Sequence, residues 1–202
     1  MAEYYHNLVT EKSFQLLMTL NQEYKFILIG GWAVYLLTQS LKSKDIDVVV
    51  SFEELAKLRQ SYEVAKNDRL KKYEVKRDEI DIDIYVPHYS KIGIPAEDIQ
   101  NHTTSREGFA IPVVEVLLIL KQAALLERQG TPKGEKDMLD IISLLVVPYF
   151  DLGKYKGLLK KYDKKDFENE LKRLLDSIQD APELNMNRHK FSRFKKQILS
   201  EL

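Results

Sequence analysis

Residues 26–50 read FILIGGWAVYLLTQSLKSKDIDVVV, and this stretch decides the fold. Its apolar start predicts a buried strand that ends at Gly30 and Gly31, and the apolar residues after the glycines predict a short helix. The apolar run that follows Asp45 predicts a second strand, with Asp45 and Asp47 at its start. Glycines at a strand end let backbone N–H groups approach a phosphate closely, and the N-terminus of a helix favours an anion. The stretch therefore predicts a phosphate-binding turn, although strand-to-helix turns also use glycine for steric reasons alone.

The two aspartates of this stretch are expected on one face of the second strand. Asp45 and Asp47 are separated by one residue, and alternate side chains of a strand point to the same side. Carboxylates held side by side repel each other unless a cation lies between them, and carboxylate oxygens are ligands that Mg²⁺ prefers. The pair therefore predicts a magnesium site. The alternative is an exposed strand start with two solvated carboxylates.

A second acidic strand follows further along the chain. Residues 79–87 read EIDIDIYVP, in which acidic and apolar side chains alternate. The alternation predicts a strand with Glu79, Asp81 and Asp83 on one face. If this strand lies beside the first acidic strand, one of its carboxylates joins the aspartate pair, and the cluster would hold Mg²⁺ and activate an attacking hydroxyl group. The alternative is an edge strand that uses its charges to prevent aggregation.

The composition excludes several classes of protein. The 202 residues include no cysteine, which excludes disulfide bonds, thiol catalysis and cysteine-ligated zinc. The 31 Lys and Arg residues balance 31 Asp and Glu residues, so no net field attracts nucleic acid. The first residues lack the basic and apolar segments of a signal peptide, and no apolar run is long enough to span a bilayer. We expect a cytoplasmic protein without a membrane partner.

The hydrophobic pattern changes near Ile111. Before it, short apolar runs separated by turn residues predict the strands and helices of an α/β domain, residues 1–111. After it, Pro112 suits the first turn of a helix, and spaced apolar residues predict a helical domain, residues 112–202. The expected fold class is α/β (α+β): a small mixed sheet flanked by helices, followed by a C-terminal helical bundle.

Together, a strand that ends in Gly-Gly, a spacer, an Asp-x-Asp strand start and a later acidic strand resemble the polymerase-β-like nucleotidyltransferase superfamily. The resemblance implies that Gly30 and Gly31 form the turn that binds the triphosphate of an NTP. It also implies that Asp45 and Asp47 are catalytic residues that bind Mg²⁺. The chain has Gly31 where the superfamily often has serine, so a hydroxyl group that would contact phosphate is absent.

The third carboxylate of the superfamily helps to activate the acceptor hydroxyl group and binds metal. The resemblance favours Asp83 for this role, because the matching family strand has an acidic residue, two apolar residues and then the strand end. Residues 84–87, IYVP, continue Asp83 in that way. Asp81 is the alternative.

The back half resembles a particular branch of the superfamily. Residues 117–145, LLILKQAALLERQGTPKGEKDMLDIISLL, are similar to the AbiEii-type branch, which includes toxins of abortive-infection toxin–antitoxin systems. The resemblance implies that Lys121 and Arg128 bind the triphosphate and neutralise the charge of the departing pyrophosphate. The alternative is an ion-pair network in which Asp137 and Asp140 hold these basic side chains between two helices.

The expected function is transfer of a nucleoside monophosphate from an NTP to an acceptor. Transfer RNA, another RNA, a protein hydroxyl group and a small molecule all remain open as the acceptor. If the chain is a toxin, an antitoxin protein is a further partner. The alternative function is a catalytically silent nucleotide-binding or protein- or RNA-interaction module on the same fold.

The C-terminal segment combines basic and aromatic residues. Residues 187–199 read NRHKFSRFKKQIL. Basic residues between aromatic ones bind RNA in some proteins, through phosphate contacts and base stacking. The alternative, which we favour, is an amphipathic surface helix with its phenylalanines in the core and its lysines in water.

Overall fold

The computed structural model describes residues 2–181 and 187–202. These residues divide into two compact units, Met1–Val113 and Val114–Leu202. The division into domains at residues 111 and 112 stays a prediction. No helix within the described residues is both long and apolar enough to cross a membrane.

The first unit contains three α-helices, a 3₁₀-helix and seven strands among its described residues. In chain order these are α1 (Ala2–Glu23), β1 (Ile27–Ile29), α2 (Gly30–Thr38), β2 (Ile46–Val49), α3 (Phe52–Ser61), β3 (Ala65–Asn67), β4 (Lys72–Arg77), β5 (Ile80–Tyr85), the 3₁₀-helix (Ala96–His102), β6 (Thr103–Arg106) and β7 (Phe109–Pro112).

Five of these strands form one mixed sheet in the order β1-β2-β5-β4-β3. The pairing of β2 with β5 is parallel, and the other three pairings are antiparallel. β6 and β7 form a separate two-stranded sheet. The expected fold class, a small mixed sheet flanked by helices, is confirmed.

The two parallel strands of the sheet, β2 and β5, have one apolar face and one acidic face. Ile82 and Ile84 of β5 are fully buried, whereas Asp83 between them is half-buried. β2 has the same pattern, with Ile46 and Val48 buried on either side of half-buried Asp47. The alternation of the sequence therefore places the carboxylates together on one side of the sheet and the core on the other.

The turn from β1 into α2 is immediate, since Gly30 is the first residue of α2 and follows the last residue of β1. Trp32, two residues later, is fully buried in the core of the unit. Its indole N–H donates a hydrogen bond to Ser13 Oγ at 2.9 Å, and its ring packs 5.1 Å from the ring of Phe14. α1 therefore fixes the first turn of α2.

The described residues of the second unit form helices. They are α4 (Val114–Glu127), α5 (Pro132–Val146), α6 (Leu152–Lys161), α7 (Asp166–Ser177) and α8 (Arg188–Glu201). Phe191 of α8 is fully buried, in a cluster with Ile142 of α5 and with Ile178 and Ala181, which follow α7. The basic and aromatic segment at the C-terminus is therefore an amphipathic helix packed through its apolar side.

Candidate active site

Asp47 and Asp83 are neighbours on adjacent parallel strands. The register of β2 and β5 pairs Asp47 with Asp83 directly. Both side chains are half-buried on the acidic face of the sheet. Asp45 lies one residue before β2 and shares that face by alternation. Folding thus brings together carboxylates from the two acidic segments, which are separated by more than thirty residues in the chain.

Gly30 lies against the carboxylate of Asp47. β1 pairs with β2 so that Ile29 lies opposite Asp47, and the chain turns at Gly30 with a positive φ of 66°. A Cβ atom at residue 30 would overlap the Asp47 carboxyl group. Glycine is therefore required for two separate reasons, the backbone conformation and the space that Asp47 occupies. The N-terminus of α2 consequently begins directly beside a carboxylate of the site.

A lysine that the sequence patterns did not single out occupies the other side of Asp83. Lys72 Nζ lies 2.6 Å from Asp83 Oδ2 and 3.0 Å from Glu74 Oε1. Glu74 is directly opposite Asp83 in the antiparallel register of β4 and β5. Asn67 of β3 donates a hydrogen bond from Nδ2 to Glu74 Oε1 at 2.9 Å. A row of polar side chains therefore runs across four strands, from Asp47 to Asn67.

The signal for Lys72 and Glu74 lies in the strand before the second acidic segment. Residues 72–77 read KYEVKR, with Tyr73 and Val75 buried between polar residues. Alternation places Lys72 and Glu74 on one face of this strand, and the register of the hairpin places Glu74 opposite Asp83, but that register can be counted only once the turn is known.

The carboxyl group of Asp83 has a strongly raised pKa. Burial, which is the largest cause, and the negative charge of Asp47 raise the pKa of Asp83 to about 6, although the hydrogen bond and charge of Lys72 act in the opposite direction. For Lys72, burial tends to lower the pKa, but the hydrogen bond and charge of Asp83 outweigh it, so the pKa of Lys72 is raised. Lys72 is thus protonated at neutral pH and paired with its carboxylates.

Asp81 and Asp83 have different neighbours on the adjacent strands. Asp83 lies level with Asp47, whereas Asp81 lies two residues earlier on β5, opposite Lys76 of β4. The geometry favours Asp83 as the third carboxylate. The catalytic and metal-binding roles of these residues stay predictions.

The two neighbouring carboxylates fit a divalent cation in part. Asp47 and Asp83 repel each other, and a cation between them would relieve that repulsion. Mg²⁺ is commonly held by one or two carboxylates, with water and substrate phosphates as its other ligands. Within residues 2–181 and 187–202, no three or more Asp, Glu, His or Cys side chains are grouped as a metal site. Asp47 and Asp83 would therefore be the protein ligands, with Asp45 as a candidate third.

The basic residues expected to bind phosphate lie in the second unit, where carboxylates hold them. Lys121 Nζ lies 3.0 Å from Asp137 Oδ1 and 2.6 Å from Asp140 Oδ2, and its side chain is only 8% exposed. Arg128 Nε lies 2.5 Å from Asp137 Oδ2. This is the ion-pair network named as the alternative to phosphate binding. The role of Lys121 and Arg128 in phosphate binding stays a prediction.

A mixed sheet with a glycine turn beside paired carboxylates on adjacent parallel strands defines a nucleotidyltransferase-like fold. The chain belongs to the family described as nucleotidyltransferase of unknown function (DUF6036), whose profile matches residues 7–197. The nucleotidyltransferase superfamily expected from the sequence is thereby confirmed, and the AbiEii-type branch stays a prediction. A comparison with curated proteins found no match.

Three solved structures illustrate the similarity. JHP933 from Helicobacter pylori is 18% identical, with 96% of this chain and 92% of that chain covered and a TM-score of 0.53. An antigenic nucleotidyltransferase-like protein from Paracoccidioides brasiliensis is 19% identical over 77% of this chain and 89% of that one, with a TM-score of 0.41. The Megavirus polyadenylate synthase is 16% identical over 71% of this chain and 32% of that one, with a TM-score of 0.43. The similarity to JHP933 supports the fold.

Proposed function

We propose that the protein is a Mg²⁺-dependent nucleotidyltransferase that moves a nucleoside monophosphate from an NTP to an acceptor hydroxyl group. The observation that carries this proposal is the placement of Asp47 beside Asp83, with Gly30 against Asp47. Membership of a nucleotidyltransferase family supports it. In the reaction the acceptor oxygen forms a bond to the α-phosphorus of the NTP. The bond between the α-phosphorus and the oxygen that bridges it to the β-phosphorus breaks, and pyrophosphate leaves.

Each residue of the site has a distinct part in this proposal. The backbone N–H groups of Gly30 and Gly31 open α2, where the helix dipole favours the negative charge of a phosphate. Asp47 and Asp83, with Asp45 as a candidate third ligand, would hold Mg²⁺, and the bound ion would neutralise phosphate charge. Asp83 accepts the proton of the acceptor hydroxyl group.

The finer parts of the proposal concern the acceptor and the biological role. We propose an RNA acceptor, with transfer RNA among the candidates, and a role as the toxin of a toxin–antitoxin system with an antitoxin protein as partner. A cytoplasmic location agrees with both. These parts rest on the resemblance of residues 117–145 to the AbiEii-type branch.

A second candidate function is a catalytically silent nucleotide-binding or protein- or RNA-interaction module. The observation that favours it is the ion pair between Lys72 and Asp83, because an ammonium group at the third carboxylate reduces the need for a metal. A silent module would still bind nucleotide at the N-terminus of α2 and would transfer nothing.

Label transfer from α-³²P-labelled NTPs in the presence of Mg²⁺ separates the two candidates. We expect the native chain to label an RNA, protein or small-molecule acceptor, and we expect Asp47→Asn to reduce the rate by at least 100-fold. Asp81→Asn, two residues from the proposed base on the same strand, is the matched control and should retain most of the activity. If the native chain transfers no label to any acceptor class but still binds NTP, the silent module is the better description.

A further inference from the structure

Lys72 is placed between the proposed site and the edge of its sheet. It is the first residue of β4, and its side chain reaches the same acidic face as Glu74, two residues further on. Only 12% of the Lys72 side chain is exposed. Placing an ammonium group in such a position costs conformational entropy and desolvation, so its two carboxylate contacts must offset both.

The contact with Asp83 concerns the proposed site directly. Lys72 Nζ lies 2.6 Å from Asp83 Oδ2, within the range of a strong charge-assisted hydrogen bond. A divalent cation held by Asp47 and Asp83 would bind the same Asp83 carboxylate. It would place a second positive charge close to the Lys72 ammonium group. The two positive charges repel each other, so the contact of one of them with the Asp83 carboxylate must weaken.

Glu74 provides Lys72 with an alternative partner. Lys72 Nζ lies 3.0 Å from Glu74 Oε1, on the side away from Asp47, since β4 pairs with β5 and not with β2. The ammonium group is thus able to keep one carboxylate when a cation takes the other. A lysine held by a single carboxylate would have no such second position.

We propose that the Lys72 ammonium group and a divalent cation compete for Asp83, so that Lys72 is a positioning residue that sets the affinity of the site for the cation. The inference rests on the proposed function, because it takes Asp47 and Asp83 as the cation ligands. Without a cation Lys72 holds Asp83 in place. When a cation binds, Lys72 shifts toward Glu74.

Two substitutions in this pair have opposite expected effects. Lys72→Met keeps the length and the apolar stem of the side chain but removes the competing positive charge, so the cation should bind about tenfold more tightly. Glu74→Gln removes the second carboxylate, which leaves Lys72 fully on Asp83, so the cation should bind about tenfold more weakly.

Titration with Mn²⁺, followed through the EPR signal of the free ion, measures this affinity without any reference to activity. Mn²⁺ prefers the same oxygen ligands as Mg²⁺. Measurements are made at pH 8, well above the usual pKa of a carboxyl group. Lys76→Met is the matched control, because Lys76 is an exposed lysine on the same strand and the same face. The dissociation constant for Lys76→Met should remain within about twofold of the native value.

The outcomes separate this inference from the proposed function. Tighter binding in Lys72→Met together with weaker binding in Glu74→Gln supports the competition. If Asp47→Asn abolishes Mn²⁺ binding but Lys72→Met leaves the native affinity unchanged or weakens it, the competition is wrong and the proposed function stands. If neither the native chain nor Lys72→Met binds Mn²⁺ saturably, the cation site and the proposed function fail together.

Discussion

The carboxyl group of Asp47 fills the space in which a side chain at Gly30 would begin. Since Gly30 also has a positive φ of 66°, the turn and the carboxylate constrain each other. A change at one residue must therefore displace the other. This reciprocal constraint links the stability of the turn to the geometry of the proposed site.

Gly30→Ala should destabilise the protein and move Asp47. The positive φ costs an alanine about 1–2 kcal/mol, and the overlap with Asp47 adds about 1–3 kcal/mol. Urea denaturation measures the total, and label transfer should fall with it because Asp47 is displaced.

Two other glycines separate the causes. Gly108 has a positive φ of 81° but nothing within 4 Å of an added Cβ atom, so Gly108→Ala should cost only about 1–2 kcal/mol. Gly157, within α6, has neither a positive φ nor a close neighbour, and Gly157→Ala should stabilise by about 0.5–1 kcal/mol. If Gly30→Ala costs no more than Gly108→Ala, the contact with Asp47 has no energetic weight.

Asp83 should contribute more to the stability of the native protein at pH 5 than at pH 8, because the residue ionises between these two pH values. Burial, with the charge of Asp47, raises the pKa of Asp83 from 3.8 to about 6 in the folded protein, so the folded state binds the proton more tightly than the unfolded state. The resulting stabilisation is complete below the unfolded pKa and is lost as the pH rises through about 6.

The variant Asp83→Asn tests this prediction because it cannot ionise. Between pH 5 and pH 8 the free energy of unfolding of the native chain should fall by about 1–3 kcal/mol relative to that of Asp83→Asn. Urea denaturation at the two pH values gives the four free energies needed. Equal pH dependence in the native chain and in Asp83→Asn would contradict the raised pKa.

Lys121 should matter mainly for stability. Lys121→Met leaves Asp137 and Asp140 as neighbouring buried carboxylates without their ammonium partner, which should cost about 3–5 kcal/mol. Arg128→Met removes a side chain that is 39% exposed and should cost only about 0.5–1 kcal/mol. Chemical denaturation measures both. Native stability together with a tenfold loss of NTP affinity in Lys121→Met would instead support the phosphate-binding role expected from the sequence.

The acidic pattern of the sequence predicted which carboxylates share a face of each strand. Alternation placed Asp45 and Asp47 on one face and Asp83 on a second acidic strand, and the β2–β5 pairing brings Asp47 and Asp83 together. Periodicity fixes which side chains share a face of one strand, because the period of a strand is two residues. It does not fix which strands are neighbours, and that part came from the resemblance to a superfamily.

The acidic alternation of the sequence does not predict the other parts of the site. β3, Ala65–Asn67, has two exposed residues and no apolar alternation, so only its pairing with β4 makes it a strand. Lys72 and Glu74 reach Asp83 through the register of a hairpin, and register depends on the turn and on which face is buried. Neither property can be read from the composition of a six-residue segment.

The C-terminal helix α8 provides a test of the structural interpretation of its basic segment. Phe191 is fully buried, whereas Arg193 is exposed on the same helix. Phe191→Ala should cost about 3–5 kcal/mol of unfolding free energy because it leaves a cavity beside Ile142 and Ile178. Arg193→Ala should change stability by less than about 0.5 kcal/mol.

RNA binding by Arg193→Ala decides between packing and recognition. If α8 is mainly a packed amphipathic helix, Arg193→Ala should change the RNA dissociation constant by less than about twofold at a fixed salt concentration, since one exposed charge among many carries little of any phosphate contact. Electrophoretic mobility shift with a transfer RNA at several salt concentrations measures this. A loss of binding in Arg193→Ala of tenfold or more, with a smaller salt slope and unchanged stability, would show that the basic face of α8 contacts RNA directly.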